Sequence, residues 1–398
     1  MKPVRTRSQR PRVALLVETS RAYGRDLLVG IAQYVRVHGP WSIELEEGDP
    51  SERLPQWFNG WKGDGVLARV KTAAMADALA KLRVPTVDLY GGLAQLKMPT
   101  VRSDEDAVGR LGAEHLLERG FRQFAFCGFN GTDWSDRRRY GFERRVSQTG
   151  FPCEAFANPR PLDLAPAGEY EEHGAKSEQE LSRWLRALRK PVGLMACNDV
   201  RARQVLNACR GLKLVVPDDV AVIGVDKDEV LCELSELPIS SVILNTQRIG
   251  FEAAALLDRM MAGECPPRET LLIEPRAVAT RRSTDVLAVE DRQIAAALRF
   301  IREHACEQID VPALLRAVPL SRSSLERRFA QILGRSPKAE ILRVQLERAK
   351  QLLMDSDLPL AMVAEKAGFD HPEHMSRLFK KKTGTTPGQF RARSQVRR

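Results

Sequence analysis

The sequence predicts two classes of structure in series: a two-lobed α/β domain on parallel sheets, then an all-α domain holding two helix-turn-helix units. Three observations carry this. From residue 13 onward, short apolar runs alternate with helical patterns, the βαβα rhythm of parallel sheets covered by helices on both faces. Beyond about residue 284 the rhythm stops, and one motif appears twice, at residues 321–337 and again at 371–387. Charge is uneven as well: residues 290–398 hold 21 Lys/Arg against 13 Asp/Glu and so carry most of the chain's net +10.

A chain of 398 residues has room for two or three cores. Residues 1–11, with Lys2, Arg5, Arg7 and Arg10, read as a disordered basic arm. In the first lobe VALLV is a buried strand, residues 25–37 a helix, SIELEE and GVLARV further strands, residues 74–82 a helix and PTVDLY a fourth strand. This lobe ends near Thr100. The second lobe holds FAFCGF, a helix at 136–149, a polar insertion at 155–178, a helix through Trp184, the strand VGLMA, a helix at 201–209 and the strand VAVIGVD. ISSVIL and the amphipathic run after it are able to return to the first lobe. The two-lobed domain is expected over residues 12–284 and the helical domain over 285–398, with a linker at about 281–291, where small and charged residues take over.

In the helical domain each copy of the repeat reads as a helix-turn-helix. Asp310 is placed as an N-cap with Pro312 in the first turn, Ser321 caps the next helix, and Gly334 ends it. Leu325, Phe329 and Ile332 form its buried stripe. In the second copy Leu360, Val363, Ala364 and Ala367 line a supporting helix, residues 368–370 turn, and residues 371–382 form the presented helix. Between the copies, residues 338–354 make a helix about 25 Å long, able to hold two small units so that their reading helices enter successive major grooves about 34 Å apart. Double-stranded DNA is therefore the expected partner, the basic excess serving its phosphates. The exposed side of the first reading helix carries Arg322, Ser323, Glu326 and Arg327, and that of the second His371, Glu373, His374, Ser376 and Arg377. Arg322, Arg327 and Arg377 have the fork that reads guanine, whereas Lys380, Lys381 and Lys382 suit phosphates.

In open parallel sheets, ligands bind beyond the carboxyl ends of the strands. Five polar stretches stand there: ETSRAYGR with Tyr23 and Arg25, SDED with Asp104, NGTDWSDRRRYGF with Trp134 and Arg138, CNDVRAR with Asn198 and Asp199, and VDKDE with Asp226. A sugar needs oxygen acceptors, fork donors and an aromatic face for its C–H surface. Asp104, Asn198, Asp199 and Asp226 offer the first, Arg138 the second and Trp134 the third. Asp104 and Asp199 each immediately precede a helix and are equally placed to cap it.

Enzyme motifs are absent: there is no GxSxG, GxxxxGK[ST], HExxH or GxGxxG, so no catalytic residue and no cofactor is expected. His371 and His374 lack a second pair of ligands, and no metal is expected. Seven cysteines without a CxxC pair suit a reducing cytoplasm. No run has the length of a signal or membrane segment, so no membrane association is expected.

ILRVQLERAKQLL, LPLAMVAEKAGF and LFKKKTGTTPGQFR resemble the AraC/XylS-type DNA-binding domain, departing from it only in the HPEH of residues 371–374. The two lobes resemble the LacI/GalR and periplasmic sugar-binding architecture, with Asp104, Arg138, Asn198 and Asp226 matching its ligand positions. RAYGR, Trp134 with Arg138, DVRAR, GVDKDE and RRSTD resemble the bacterial xylose-regulator family, which joins these two domains. That resemblance implies D-xylose as effector, transcription activation with RNA polymerase as a partner, and a homodimer paired through the ligand domain near residues 251–261.

Overall fold

The computed structural model describes residues 10–49, 54–93, 98–129, 131–156, 174–267, 269–285 and 291–395; nearly all of the basic arm, most of the polar insertion and residues 286–290 lie outside them. The chain divides into two compact units, Met1–Asp285 and Val286–Arg398.

β1 (Arg12–Leu16) shows why the first lobe forms. Its apolar run does not alternate because both faces are covered. Val13, Leu15 and Val17 pack into one cluster with Leu27 and Ile31 of α1 (Ala22–His38), while Ala14 and Leu16 face Phe58, Trp61 and, on α2 (Ala73–Leu82), Met75 and Leu79. β2 (Ser42–Leu45), β3 (Gly65–Ala68) and β4 (Thr86–Asp88) complete a parallel sheet of order β2-β1-β3-β4. β5 (Val101–Ser103) then leads into α3 (Glu105–Leu117) and the second lobe.

That lobe holds β6 (Phe124–Cys127), α4 (Asp133–Ser147), β7 (Cys153–Phe156), α5 (Gly174–Ala187), β8 (Val192–Ala196), α6 (Asp199–Gly211), β9 (Val220–Val225), α7 (Glu229–Leu234) and β10 (Ser240–Ile243). The chain does return: α8 (Thr246–Met261) packs on α1, and β11 (Leu271–Ile273) pairs with β5. β12 (Ala277–Ala279) closes the second sheet, order β12-β10-β9-β8-β6-β7, as its antiparallel edge.

Two helix crossings are tight enough to need glycine. A Cβ on Gly141 of α4 would lie 2.2 Å from the Asp106 carbonyl oxygen of α3, and one on Gly250 of α8 would lie 2.1 Å from that of Leu27 on α1. Each crossing locks the helix that carries a lobe's cleft residues.

The expected linker begins too early. Arg281, Ser283 and Thr284 are buried, and Arg282–Thr284 is a 3-10 turn packed on the second lobe. Polar side chains there find partners in the second lobe, so polarity did not mean exposure.

In the second unit α9 (Arg292–His304) precedes α10 (Val311–Ala317), α11 (Arg322–Leu333), α12 (Pro337–Asp355), α13 (Leu360–Lys366), α14 (Pro372–Thr383) and α15 (Pro387–Gln395). Asp310 accepts from the Ala313 amide at 2.8 Å, Ser321 from the Ser324 amide at 3.3 Å, and Gly334 and Gly384 take the left-handed conformation at the ends of α11 and α14. α12 serves two cores: Ile341 and Val344 close one with Leu325 and Phe329, and Leu346, Ala349 and Leu353 close the other with Met375 and Phe379. Ile332 departs from the expected stripe and is 43% exposed, because Leu333 takes the closing place against the first core.

One amide bonds to both halves. Gln345, mid-way along α12, donates from Nε2 to the carbonyls of Ala305 and Gly368, each at 2.8 Å. Gln345→Leu orphans these buried acceptors and is expected to destabilise the second unit by about 2 kcal/mol. Calorimetry of the whole chain checks this; an unshifted transition for that unit refutes it.

Candidate ligand cleft and DNA-reading surface

From the first lobe, the strand ends supply Glu18 after β1, Arg69 after β3 and Tyr90 after β4, with Tyr23 opening α1. The Arg69 guanidinium lies over the Tyr23 ring, 4.7 Å from its centroid, and 5.6 Å from that of Tyr90. Glu18 receives Arg69 Nη1 on one oxygen and Lys71 Nζ on the other, and Lys71 also meets Asp49 at 2.7 Å. Arg69 Nε is buried with no hydrogen-bond partner among the described residues.

From the second lobe, Arg138 is only 3% exposed. It donates from Nε to Glu105 at 2.6 Å and from Nη1 to the Cys197 carbonyl at 2.6 Å, and Nη2 stands 3.6 Å from Asp226. The Trp134 ring lies 4.9 Å from its guanidinium carbon and meets Phe129 edge-on. A charge so far from water needs anions close by. Burial disfavours the Arg138 charge, but Glu105 and Asp226 outweigh it and raise the pKa above the ordinary guanidinium value. The same burial pushes Glu105 and Asp226 up, and Arg138 opposes it.

The two sides sense each other. Burial pushes Tyr23 up to about 12, and it feels Arg69 on its own lobe and Glu105, Asp226 and Arg138 across the cleft. Asp226 in turn feels Arg69 and Glu18. The Asp226 backbone, just beyond β9, has φ 100°, a left-handed conformation that few residues with a side chain adopt and that Asn and Asp adopt more readily than most.

Four of the expected residues have local bonds of their own. Asp104 is the N-cap of α3, accepting from the Ala107 amide at 3.0 Å, and Asn198 is the N-cap of α6, accepting from the Arg201 amide at 2.8 Å. Asp199 is 1% exposed, with one oxygen on the Ser241 hydroxyl at 2.7 Å and the other on the Asp228 amide at 2.8 Å. Arg25 is exposed, and its Nη1 donates to the carbonyls of Thr19 and Ser20, both at 2.9 Å. These four are bonded to groups of their own loops and helix starts, while Tyr23, Trp134, Arg138 and Asp226 stand close enough to act on one another.

In the second unit Arg322, Ser323, Glu326 and Arg327 of α11 are exposed, as are His371 at the cap of α14 and, along that helix, Glu373, His374, Arg377, Lys380, Lys381 and Lys382; Ser376 is half-buried. Arg322 is paired with Glu326 at 3.0 Å one turn on.

Residues 12–102 match the family model of the XylR N-terminal domain, residues 113–284 that of a periplasmic binding protein-like domain, and residues 314–393 that of a helix-turn-helix domain. The xylose operon regulatory protein of Escherichia coli K12 is 33% identical over 96% of this chain and 97% of its own length. The chain belongs to the xylose operon regulatory protein family. Another member, from Haemophilus influenzae, is 29% identical over 96% of this chain and 98% of its own. A solved structure described as the xylose-binding transcription activator XylR superposes with a TM-score of 0.74, at 31% identity, covering 97% of this chain and 98% of that one. The protein is thus a transcription regulator whose α/β unit has the fold of sugar-binding domains and whose helical unit is a DNA-binding one.

Glu18, Arg69, Tyr90 and Glu105 stand among these groups without having been expected there from the sequence. Arg69 obeys the same strand-end rule, since β3 stops at Ala68, but the run GVLARV reads as strand through Val70 and conceals it. Glu105 stood beside Asp104 in SDED, and only the burial of its side chain separates the two roles.

Asp199 is pushed up to about 8, first by burial and then by Asp226. An unfolded Asp titrates near ~3.9. Between these values the unfolded chain has released a proton that the folded chain keeps, so stability falls as pH rises through the window and levels above it. Asp199→Asn is expected to flatten the decline in melting temperature between about pH 4 and pH 8; profiles that stay parallel refute the assignment.

Proposed function

We propose that this protein is a cytoplasmic transcription activator of xylose catabolic genes that takes D-xylose as its effector and performs no catalysis. The observation that supports the reading is the proximity of Arg138 to Asp226 and Trp134 and of Arg69 to Tyr23, a set that offers a sugar fork donors, a carboxylate acceptor and aromatic faces. A pentose offers adjacent hydroxyls for such donors and acceptors and a C–H face for an indole. The unmet Nε of Arg69 is a further donor for a sugar oxygen. Asp104, Asn198, Asp199 and Arg25 act behind it, holding the loops. The names of the relatives favour xylose over another sugar.

Sugar shifts the balance between open and closed lobes, and the DNA-binding unit responds, a population shift between two arrangements. Double-stranded DNA meets α11 and α14: Arg322, Arg327 and Arg377 read guanines, Ser323, Glu326, His371, Glu373, His374 and Ser376 tune the choice, and Lys380, Lys381 and Lys382 hold phosphates. Pairing of two copies through the ligand unit, with α8 taking part, and contact with RNA polymerase belong to the same reading.

Calorimetric titration with D-xylose, L-arabinose, D-ribose and D-glucose tests the effector. Selective, saturable binding of xylose is expected, lost in Asp226→Asn, a replacement that the backbone there accepts. Binding of another sugar refutes xylose, and binding of none refutes the cleft. On the DNA side, Arg377→Ala is expected to relax sequence preference by about 1–3 kcal/mol, and Lys381→Ala to weaken all sequences alike while reducing the salt slope by about 1. Equal loss on selected and random duplexes for Arg377→Ala refutes its role as a reader.

A further inference from the structure

The end of the ligand unit is more tightly held than any connector requires. Arg281 donates from Nε to Glu233 at 2.6 Å and from Nη1 to the Ile239 carbonyl at 3.2 Å, and its Nη2 stands 3.2 Å from Glu229. Ser283 donates to the Val222 carbonyl at 2.6 Å and accepts from the Ser240 amide at 2.8 Å. The Thr284 hydroxyl lies 2.7 Å from the Ser240 hydroxyl and 2.8 Å from His115 Nε2, and the Thr284 carbonyl accepts Arg119 Nε at 2.7 Å.

Proton accounting shows this chain to be closed. Ser240 gives its hydrogen to the Arg281 carbonyl, so it accepts from Thr284; Thr284, its own hydrogen spent, accepts from His115. His115 therefore carries its proton on Nε2 and presents Nδ1 to Arg119 at 3.1 Å. Ser240, Ser283 and Thr284 are fully buried.

Both anchors of this segment lead back to the cleft. Glu229 and Glu233 stand on α7, whose cap Asp228 follows Asp226 by two residues and is held by Asp199. His115 stands on α3, which begins at Glu105, the partner of Arg138, about 15 Å away along the helix. The chain then passes into the second unit at Val286.

We propose that residues 281–285 are a clasp that passes the state of the cleft to the DNA-binding unit, with Arg281 and Thr284 as positioning residues that touch neither sugar nor DNA. This rests on the sugar-responsive reading above. Two inputs, one through α7 and one through α3, converge on the five residues that end the ligand unit.

The test uses the full chain and a duplex selected by it from a random library. D-xylose affinity is measured by calorimetry, and duplex affinity by fluorescence anisotropy with and without sugar. Thr284→Val and the exposed-side double variant Glu229→Gln/Glu233→Gln are expected to bind xylose within about threefold of the parent. The ratio of duplex affinities with and without sugar is expected to collapse toward one. Thr284→Ser, which keeps the hydroxyl, is expected to retain that ratio. The clasp is overturned if both variants keep the parental ratio, or if they lose xylose binding in parallel with it. A parent chain that binds no sugar fails the functional reading; one that binds sugar with unchanged duplex affinity fails the clasp.

Discussion

A guanidinium shut away from water has to be met by anions and carbonyls, and the ligand unit is arranged around that demand at Arg138. Glu105 from the start of α3, the Cys197 carbonyl from the end of β8 and Asp226 from the end of β9 converge on it from three separate elements. Removing one partner of such a buried pair typically costs about 3–5 kcal/mol, so each of these elements is held in register by the same side chain. The tight crossing of α3 and α4 at Gly141 belongs to this arrangement, since α4 carries Arg138 and α3 carries Glu105. Stability and ligand geometry therefore share one set of atoms.

The helical unit solves a different problem with a similar economy. Two small cores share the opposite ends of α12, and Gln345 bonds to both sides at its middle. The reading helices are thereby referred to one common rod.

Much of this was legible in the sequence, and the reasons for the rest are physical. Unbroken apolar runs such as VALLV announced strands covered on both faces, and Asp310, Ser321 and Gly334 marked helix ends because few other residues satisfy those positions. The general place of the cleft followed from strand ends. Which carboxylate faces it did not: Asp104 and Glu105 are neighbours, and one caps a helix while the other neutralises Arg138. Asn198 and Asp199 divide in the same way between cap and loop brace. At residues 281–285 a run rich in Arg, Ser and Thr reads as solvated linker, and the reading fails because hydroxyls and guanidinium find partners inside the lobe. Composition reports the polarity of a segment, whereas only the fold reports who satisfies it.

The return of α8 to the first lobe carries a consequence for the newborn chain. Ile249, Ala253, Ala254 and Leu257 complete the cluster around Val13, Leu15 and Leu27, and they lie more than two hundred residues further along. On a ribosome, the first lobe emerges with α1 alone on that face of its sheet, and the part that α8 covers stays open while the whole second lobe is being made. The glycine contact at Leu27 and Gly250 is then among the last to form. The N-terminal lobe, first to be synthesised, is the one that has to wait.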